Sequence, residues 1–256
     1  MTLTEAVISG AVQGVTEFLP ISSSGHLVLV HSFFGFTEPS IFFDICLHIA
    51  TLAAVVLYFS GDIIRLIRER NYRWLLFLAV GTVPAVLAGL FFEKKIAEFF
   101  VNPGKVAFML ILTGIVLLCG QLSLMKRKTE GGGPTFITSL IVGIAQACSL
   151  LPGISRSGMT VSAGLLGGMN AEGAFRFSFL LSIPVILGAT LYKVLSEDIG
   201  AVLSGNIEVY VTGMLVAFMT GILSLRLLWW VLKEKRLFIF GAYCLLAGFA
   251  GIFLLK

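Results

Sequence analysis

Five ionisable side chains sit inside or at the edge of long apolar stretches: Glu17, His26, Asp44, His48 and Arg156. A charge held in hydrocarbon costs several kcal/mol unless it faces a partner or water, so each is a candidate for function. Gln13 and Glu17 are four apart and share a helix face, and Ser22, Ser23, Ser24 and His26 follow closely. Such a group can supply a metal ligand or base, a nucleophile and an acid. The blander alternative is that Glu17 caps a helix end while the serines satisfy bare backbone. A second cluster holds Ser155, Arg156, Ser157, Gly158 and Thr160. Arginine suits a phosphate because its planar fork donates parallel hydrogen bonds and stays charged. Gly153 and Gly158 let backbone N–H groups approach an anion at the positive end of a helix beginning near Met159. An ion pair between Arg156 and Glu17 is compatible with this in the empty state. Asp44 and His48, again four apart, are either support for the site from behind or polar contacts between helices. Arg176, Lys193 and Arg226 lie near the ends of apolar runs, where snorkelling is expected.

The elements that carry these residues are set by composition. Of the residues, 57% are hydrophobic and 12% charged, against about 25% charged in a soluble domain. The apolar residues fall in runs at Ile41–Phe59, Trp74–Phe92, Val106–Leu124, Phe175–Leu195, Val209–Leu228 and Leu237–Leu255. Each has about the 20 residues that a membrane-spanning helix needs. The net charge of +4 reads as loop bias, not as nucleic-acid binding. No basic n-region precedes the first apolar run, so no cleavable signal peptide is expected. Cys46, Cys119, Cys148 and Cys244 lack metal-ligand spacing and are expected to be small buried hydrophobes.

Both chemical clusters interrupt shorter apolar segments. Leu3–Phe18 breaks at the first cluster and resumes at Leu27–Phe36; Phe136–Leu151 breaks at the second and resumes at Met159–Met169. Two half-length helices joined by a polar loop read as a re-entrant hairpin. A shift of 133 residues pairs Gly10 with Gly143, Gln13 with Gln146, Ile21 with Ile154, Ser22 with Ser155, Ser24 with Ser157 and Gly25 with Gly158. The chain is therefore expected to be one all-α polytopic integral membrane domain, 1–256, made of repeat one (1–125), a linker (126–134) and repeat two (135–256). Each repeat is a re-entrant helical hairpin plus three transmembrane helices. Three crossings are odd, so the repeats are inverted. Ten Lys and Arg fall in the loops at Gly61–Arg73, Met125–Thr135 and Trp229–Arg236, including Arg127 and Lys128, against Lys94, Lys95, Lys105 and Lys256 on the other side. The richer side is cytoplasmic by the positive-inside rule. The first hairpin then faces outward, and Ser40 and Lys128 fall on opposite faces.

Gln13–His26, Q-G-V-T-E-F-L-P-I-S-S-S-G-H, and Leu151–Thr160, L-P-G-I-S-R-S-G-M-T, resemble the two signature motifs of the undecaprenyl-diphosphate phosphatases, the bacitracin-resistance protein family. The resemblance covers essentially the whole chain. It implies a bacterial plasma-membrane enzyme that hydrolyses undecaprenyl diphosphate to undecaprenyl phosphate and inorganic phosphate, recycling the lipid carrier of cell-wall synthesis. The family's motif serine, histidine and arginine fall on Ser23, His26 and Arg156. Its first motif has Glu or Gln, three residues, then Glu; here Gln13 and Glu17 leave one carboxylate on that face. The resemblance also implies a divalent cation, Mg or Ca, which suits carboxylate and phosphate oxygens.

The expected roles follow. Arg156 clamps the diphosphate, helped by Ser22, Ser24, Ser155, Ser157, Gly158, Thr160 and Gln13. Glu17 holds the cation or acts as base. Ser23 attacks with His26 moving the proton, or water attacks directly; the sequence leaves both open, as it does a homodimer. The competing class is a lipid-phosphate flippase or an anion transporter, for which inverted repeats with broken helices are the usual plan.

Overall fold

The computed structural model describes residues 1–34, 41–100, 103–126, 132–196 and 206–254. Phe36, Ser40, Arg127, Lys128, Leu255 and Lys256 lie outside them. The helix α1 (Leu3–Phe18) opens on Thr2, whose hydroxyl accepts from the Glu5 N–H while the Glu5 carboxylate accepts from the Thr2 N–H. It stops because Pro20 excludes helical geometry at Leu19, which sits at φ −66°, ψ 143°. After the break, α2 (Ser23–Phe34) resumes. α3 (Ile41–Tyr58) bends by 62° into α4 (Ser60–Arg68). On α4, Asp62, Arg65 and Arg68 share one face while Ile63 and Leu66 pack on the core, the pattern of a helix lying along a membrane surface. α5 (Tyr72–Phe100) and α6 (Pro103–Lys126) complete the first half. The second half holds α7 (Phe136–Cys148), α8 (Arg156–Leu166), α9 (Ala171–Ser196), α10 (Ile207–Lys233) and α11 (Phe238–Leu254).

Among the described residues four helices are long and apolar enough to cross a membrane: Tyr72–Phe92, Gly104–Lys126, Ala171–Leu195 and Ile207–Lys233. The bent α3–α4 pair makes a fifth, and Phe238–Phe253 is apolar but shorter. The exterior differs from that of a soluble fold, and polar side chains join the buried core. Ser9, Gln13, Ser139, Gln146, Ser162, Ser178 and Ser182 are fully buried, while Phe91, Leu195, Leu246 and Phe253 are largely exposed. An apolar exterior of this kind needs lipid as its solvent. The protein is an all-α polytopic membrane protein.

Packing exchanges partners between the halves. α1 packs on α10 and α7 on α5, while α6 packs on α11 and α3 on α9. The first two contacts are built alike. A Cβ at Gly10 would stand 2.5 Å from the Gly213 carbonyl oxygen, and one at Gly143 would stand 2.5 Å from that of Gly81. Small residues let these backbones touch, which is how helices associate where the solvent is itself apolar.

Three sequence expectations are corrected. The helices after the breaks begin at Ser23 and Arg156, not Leu27 and Met159. Serine satisfies a helix start instead of preventing it: the Ser155 hydroxyl accepts from the Gly158 N–H at 3.1 Å. α7 stops at Cys148, short of Leu151. Cys119 and Cys148 are exposed, and only Cys46 and Cys244 are buried; on a lipid-facing surface a thiol needs no core.

Candidate active site

The two interrupted hairpins meet at their tips. Ser157 Oγ donates to the Leu19 carbonyl at 3.3 Å, and a Cβ at Gly158 would stand 3.2 Å from Pro20 Cβ. The loops are braced from behind by the α6–α11 pair. On α6, Thr113 Oγ1 donates to the Gly153 carbonyl and accepts from the Ser155 N–H, both at 3.1 Å. On α11, Cys244 Sγ donates to the Pro20 carbonyl at 3.5 Å. Irregular backbone inside a bilayer needs such partners. Gly153, at φ 89°, and Ser22, at φ 70°, occupy the left-handed region. A serine there costs about 1–3 kcal/mol and persists because its surroundings hold it.

Between the tips lies a cavity of about 240 Å³. That is room for several waters or a small ligand. Glu17 and Arg156 form a nearly buried ion pair across it, Arg156 Nη2 donating to Glu17 Oε1 at 2.7 Å. Glu17 Oε2 accepts from Ser23 Oγ at 2.7 Å and from Gln13 Nε2 at 3.2 Å. Arg156 Nη1 is buried with no hydrogen-bond partner among the described residues, and the guanidinium lies 5.9 Å above the Phe179 ring centre. One hydroxyl thus sits on a carboxylate, the carboxylate sits on a guanidinium, and a second face of that guanidinium is left for an anion.

The other expected residues divide. Ser22, Ser24, Ser155 and His48 line the cavity with Glu17, Ser23 and Arg156. Gln13 is fully buried behind Glu17. Ser157 ties the loops together, Gly158 lets them touch, and buried Thr160 bonds to Ser178 on α9. His26 is not among the cavity-lining residues. Its Nδ1 bonds the Ser22 carbonyl at 2.8 Å, its Nε2 meets the Tyr243 hydroxyl at 2.6 Å, and its ring stacks on Tyr243. His48 is the imidazole on the cavity wall. Its Nδ1 donates to the Asp44 main-chain carbonyl at 2.8 Å, which leaves Nε2 as the acceptor in the neutral ring. Arg176 is ion-paired with Glu172 at 2.8 Å and Asp62 at 3.5 Å, where snorkelling alone was expected.

The sequence reading missed Gln146, Ser149, Ser182, Thr190 and Lys193, all on the cavity wall. Gln146 carried a signal, its pairing with Gln13 in the repeat. Lys193 carried its charge, but snorkelling was expected of it; Ser182 and Thr190 carried none, because a cavity-facing stripe and a lipid-facing stripe are both mostly apolar.

The cavity offers a Mg or Ca ion a single carboxylate, so a bound ion would draw its remaining ligands from hydroxyls, water and phosphate oxygens. Among the described residues no three His, Cys, Asp or Glu side chains come together. Glu17 is the one carboxylate lining the cavity, and both its oxygens are engaged. Chelation followed by add-back of Mg or Ca tests the expectation directly.

Fold and site together define a polytopic membrane protein with an internal cavity that bears an arginine–glutamate ion pair. Residues 6–250 match the bacitracin resistance protein BacA family, and the chain belongs to that family. It is 40% identical over 258 residues to an undecaprenyl-diphosphatase of Syntrophotalea carbinolica, covering 97% of each chain. It is 36% identical over 260 residues to one of Halothermothrix orenii, covering 99% of this chain and 100% of that one. With one of Moorella thermoacetica it shares 44% identity over 201 residues, 76% of this chain and 77% of the relative.

Proposed function

We propose that this protein is a membrane phosphatase that hydrolyses undecaprenyl diphosphate to undecaprenyl phosphate and inorganic phosphate, recycling the lipid carrier for peptidoglycan synthesis and conferring bacitracin resistance. The observation that carries the reading is the hydrogen-bonded series Ser23–Glu17–Arg156 on the cavity wall, with Arg156 Nη1 unpartnered among the described residues. A terminal phosphate docks on Arg156 and competes with Glu17 for the guanidinium, which frees the carboxylate to accept a proton. Ser23 Oγ then attacks the terminal phosphorus and the bond to the bridging oxygen breaks. Glu17 takes the serine proton and passes it to that oxygen, so lipid monophosphate leaves. Water next attacks the phosphoserine, Glu17 relays the water proton to Ser23 Oγ, and inorganic phosphate is released. Arg156 stabilises the charge that develops on the phosphoryl oxygens in both steps. His48, on the cavity wall, is a second proton acceptor. His26 acts through the loop, fixing the Ser22 carbonyl against Tyr243.

The cavity is lined by the first half of α3 (Ile45, His48) and the last turns of α9 (Thr190, Lys193). These ends lie away from the basic stretches that follow α3 and α10, which supports a site opening to the outside of a bacterial plasma membrane. The prenyl chain stays between helices in the lipid, which explains why the phosphatase is embedded in a bilayer. Purified protein in detergent, given a polyprenyl diphosphate, should release inorganic phosphate and lipid monophosphate in equal amounts. If the lipid is recovered unchanged, or crosses liposome membranes without being cleaved, the reading fails.

A further inference from the structure

Gln146 is fully buried on the cavity wall, and neither amide atom has a hydrogen-bond partner among the described residues. An amide buried this way forfeits about 1–3 kcal/mol, so a partner from the cavity's own contents is called for. The repeat explains how the position arose. Gln13 uses its Nε2 on the carboxylate one helical turn later, Glu17. In the second half the residue at that place is Leu150, so the Gln146 amide, buried at the cavity wall, has no carboxylate one turn on to hold. The neighbouring hydroxyls donate elsewhere, Ser149 Oγ to the Gln146 main-chain carbonyl at 2.6 Å and Ser182 Oγ to that of Phe179 at 2.7 Å, and neither bonds the Gln146 side chain.

The amide asks for a partner that donates and accepts at once. An ionised phosphoryl oxygen accepts only and would leave Gln146 Oε1 unpaired. Water does both. Resting on the phosphatase reading above, we propose that Gln146 is a catalytic residue that orients the hydrolytic water for attack on the phosphorylated Ser23. The water donates one hydrogen to Gln146 Oε1, accepts from Nε2, and turns its remaining proton toward Glu17. Its oxygen forms the new bond to phosphorus, the bond from phosphorus to Ser23 Oγ breaks, and the proton reaches Ser23 Oγ through Glu17. The first half of the molecule thereby supplies nucleophile and base, and the second half supplies the clamp and the water.

Gln146→Leu separates this from a structural role. Leucine is close in volume and removes two unsatisfied buried atoms, so the thermal midpoint in detergent should hold or rise. Turnover should nonetheless fall by about 10- to 100-fold, the usual cost of a misplaced reactant, with KM within about twofold of the original. Rapid-mixing experiments should show one equivalent of lipid monophosphate released at the original rate, followed by slow phosphate release, with labelled phosphate accumulating on Ser23. The proposal is overturned if turnover stays within twofold. A raised KM with unchanged kcat would overturn it too, by making Gln146 a substrate contact. So would equal slowing of both products with no trapped label, which places it in the first step. Failure of the phosphatase reading looks different: the unaltered protein would release no phosphate, or Ser23→Ala would keep full turnover.

Discussion

Arg156 is held on one side by Glu17 and offers Nη1 on the other, so its substitutions should separate charge from shape. Arg156→Lys keeps a cation beside the nearly buried carboxylate but has no fork. Activity in phosphate-release assays should fall by about 10²- to 10³-fold, the cost of losing one well-aimed donor. A lysine variant with full activity would defeat the forked-contact argument. Glu17→Gln should cost about 10²- to 10⁴-fold, because the amide preserves size but takes no proton. Gln13→Ala should be much milder, since Gln13 touches the site through a single 3.2 Å bond to Glu17. The reverse ranking would exchange their roles. His26 makes a sharper case. If it works by tying the loop to α11, His26→Ala and Tyr243→Phe should lower kcat by similar factors, and the double variant should be no worse than either. Additive losses would mean that the imidazole acts on the substrate itself.

Helices place these residues by close backbone contact. The tip of the first hairpin is fixed where α1 presses on α10, and the tip of the second where α7 presses on α5. At each seam a glycine faces a carbonyl 2.5 Å from where its Cβ would be. Gly143→Ala and Gly10→Ala should therefore each destabilise the protein by about 1–3 kcal/mol, the range for overpacking, read as a lower thermal midpoint in detergent. Gly143→Ala should also cost activity beyond its stability effect, because Gln146 lies one turn along the displaced helix. Gly61→Ala is the control, since nothing stands within 4 Å of its added methyl. Equal midpoints for all three variants would mean that the seams yield freely and that packing does not set the position of the tips.

For the whole molecule, the composite site requires that the two hairpins enter from opposite faces of the membrane. In a background lacking the four native cysteines, Leu195→Cys, on the exposed end of α9, should react with an impermeant thiol reagent in intact cells. Glu234→Cys, at the end of α10, should react only once the membrane is opened. Labelling of both from one side would undo the inverted arrangement and the outward-facing site. The helical, membrane-embedded fold was readable in the sequence. Runs of about 20 apolar residues can satisfy their backbones only as helices in a bilayer, so helix content and membrane insertion needed nothing beyond composition. The two motifs were legible because their glycines, prolines and serines interrupt apolar helices and their charges are costly at membrane depth. What the sequence left open is which motif residues face the substrate. Side-chain direction depends on the crossing of helices far apart in the chain: Glu17 meets Arg156, His26 turns to Tyr243, and the cavity wall falls to His48 and Gln146. A part-turn rotation of α2 or α3 would change which histidine faces the cavity without changing a single hydrophobic run. Only the tertiary packing decides that rotation, with Phe43 of α3 set against Gly213 of α10 and His26 of α2 against Tyr243 of α11.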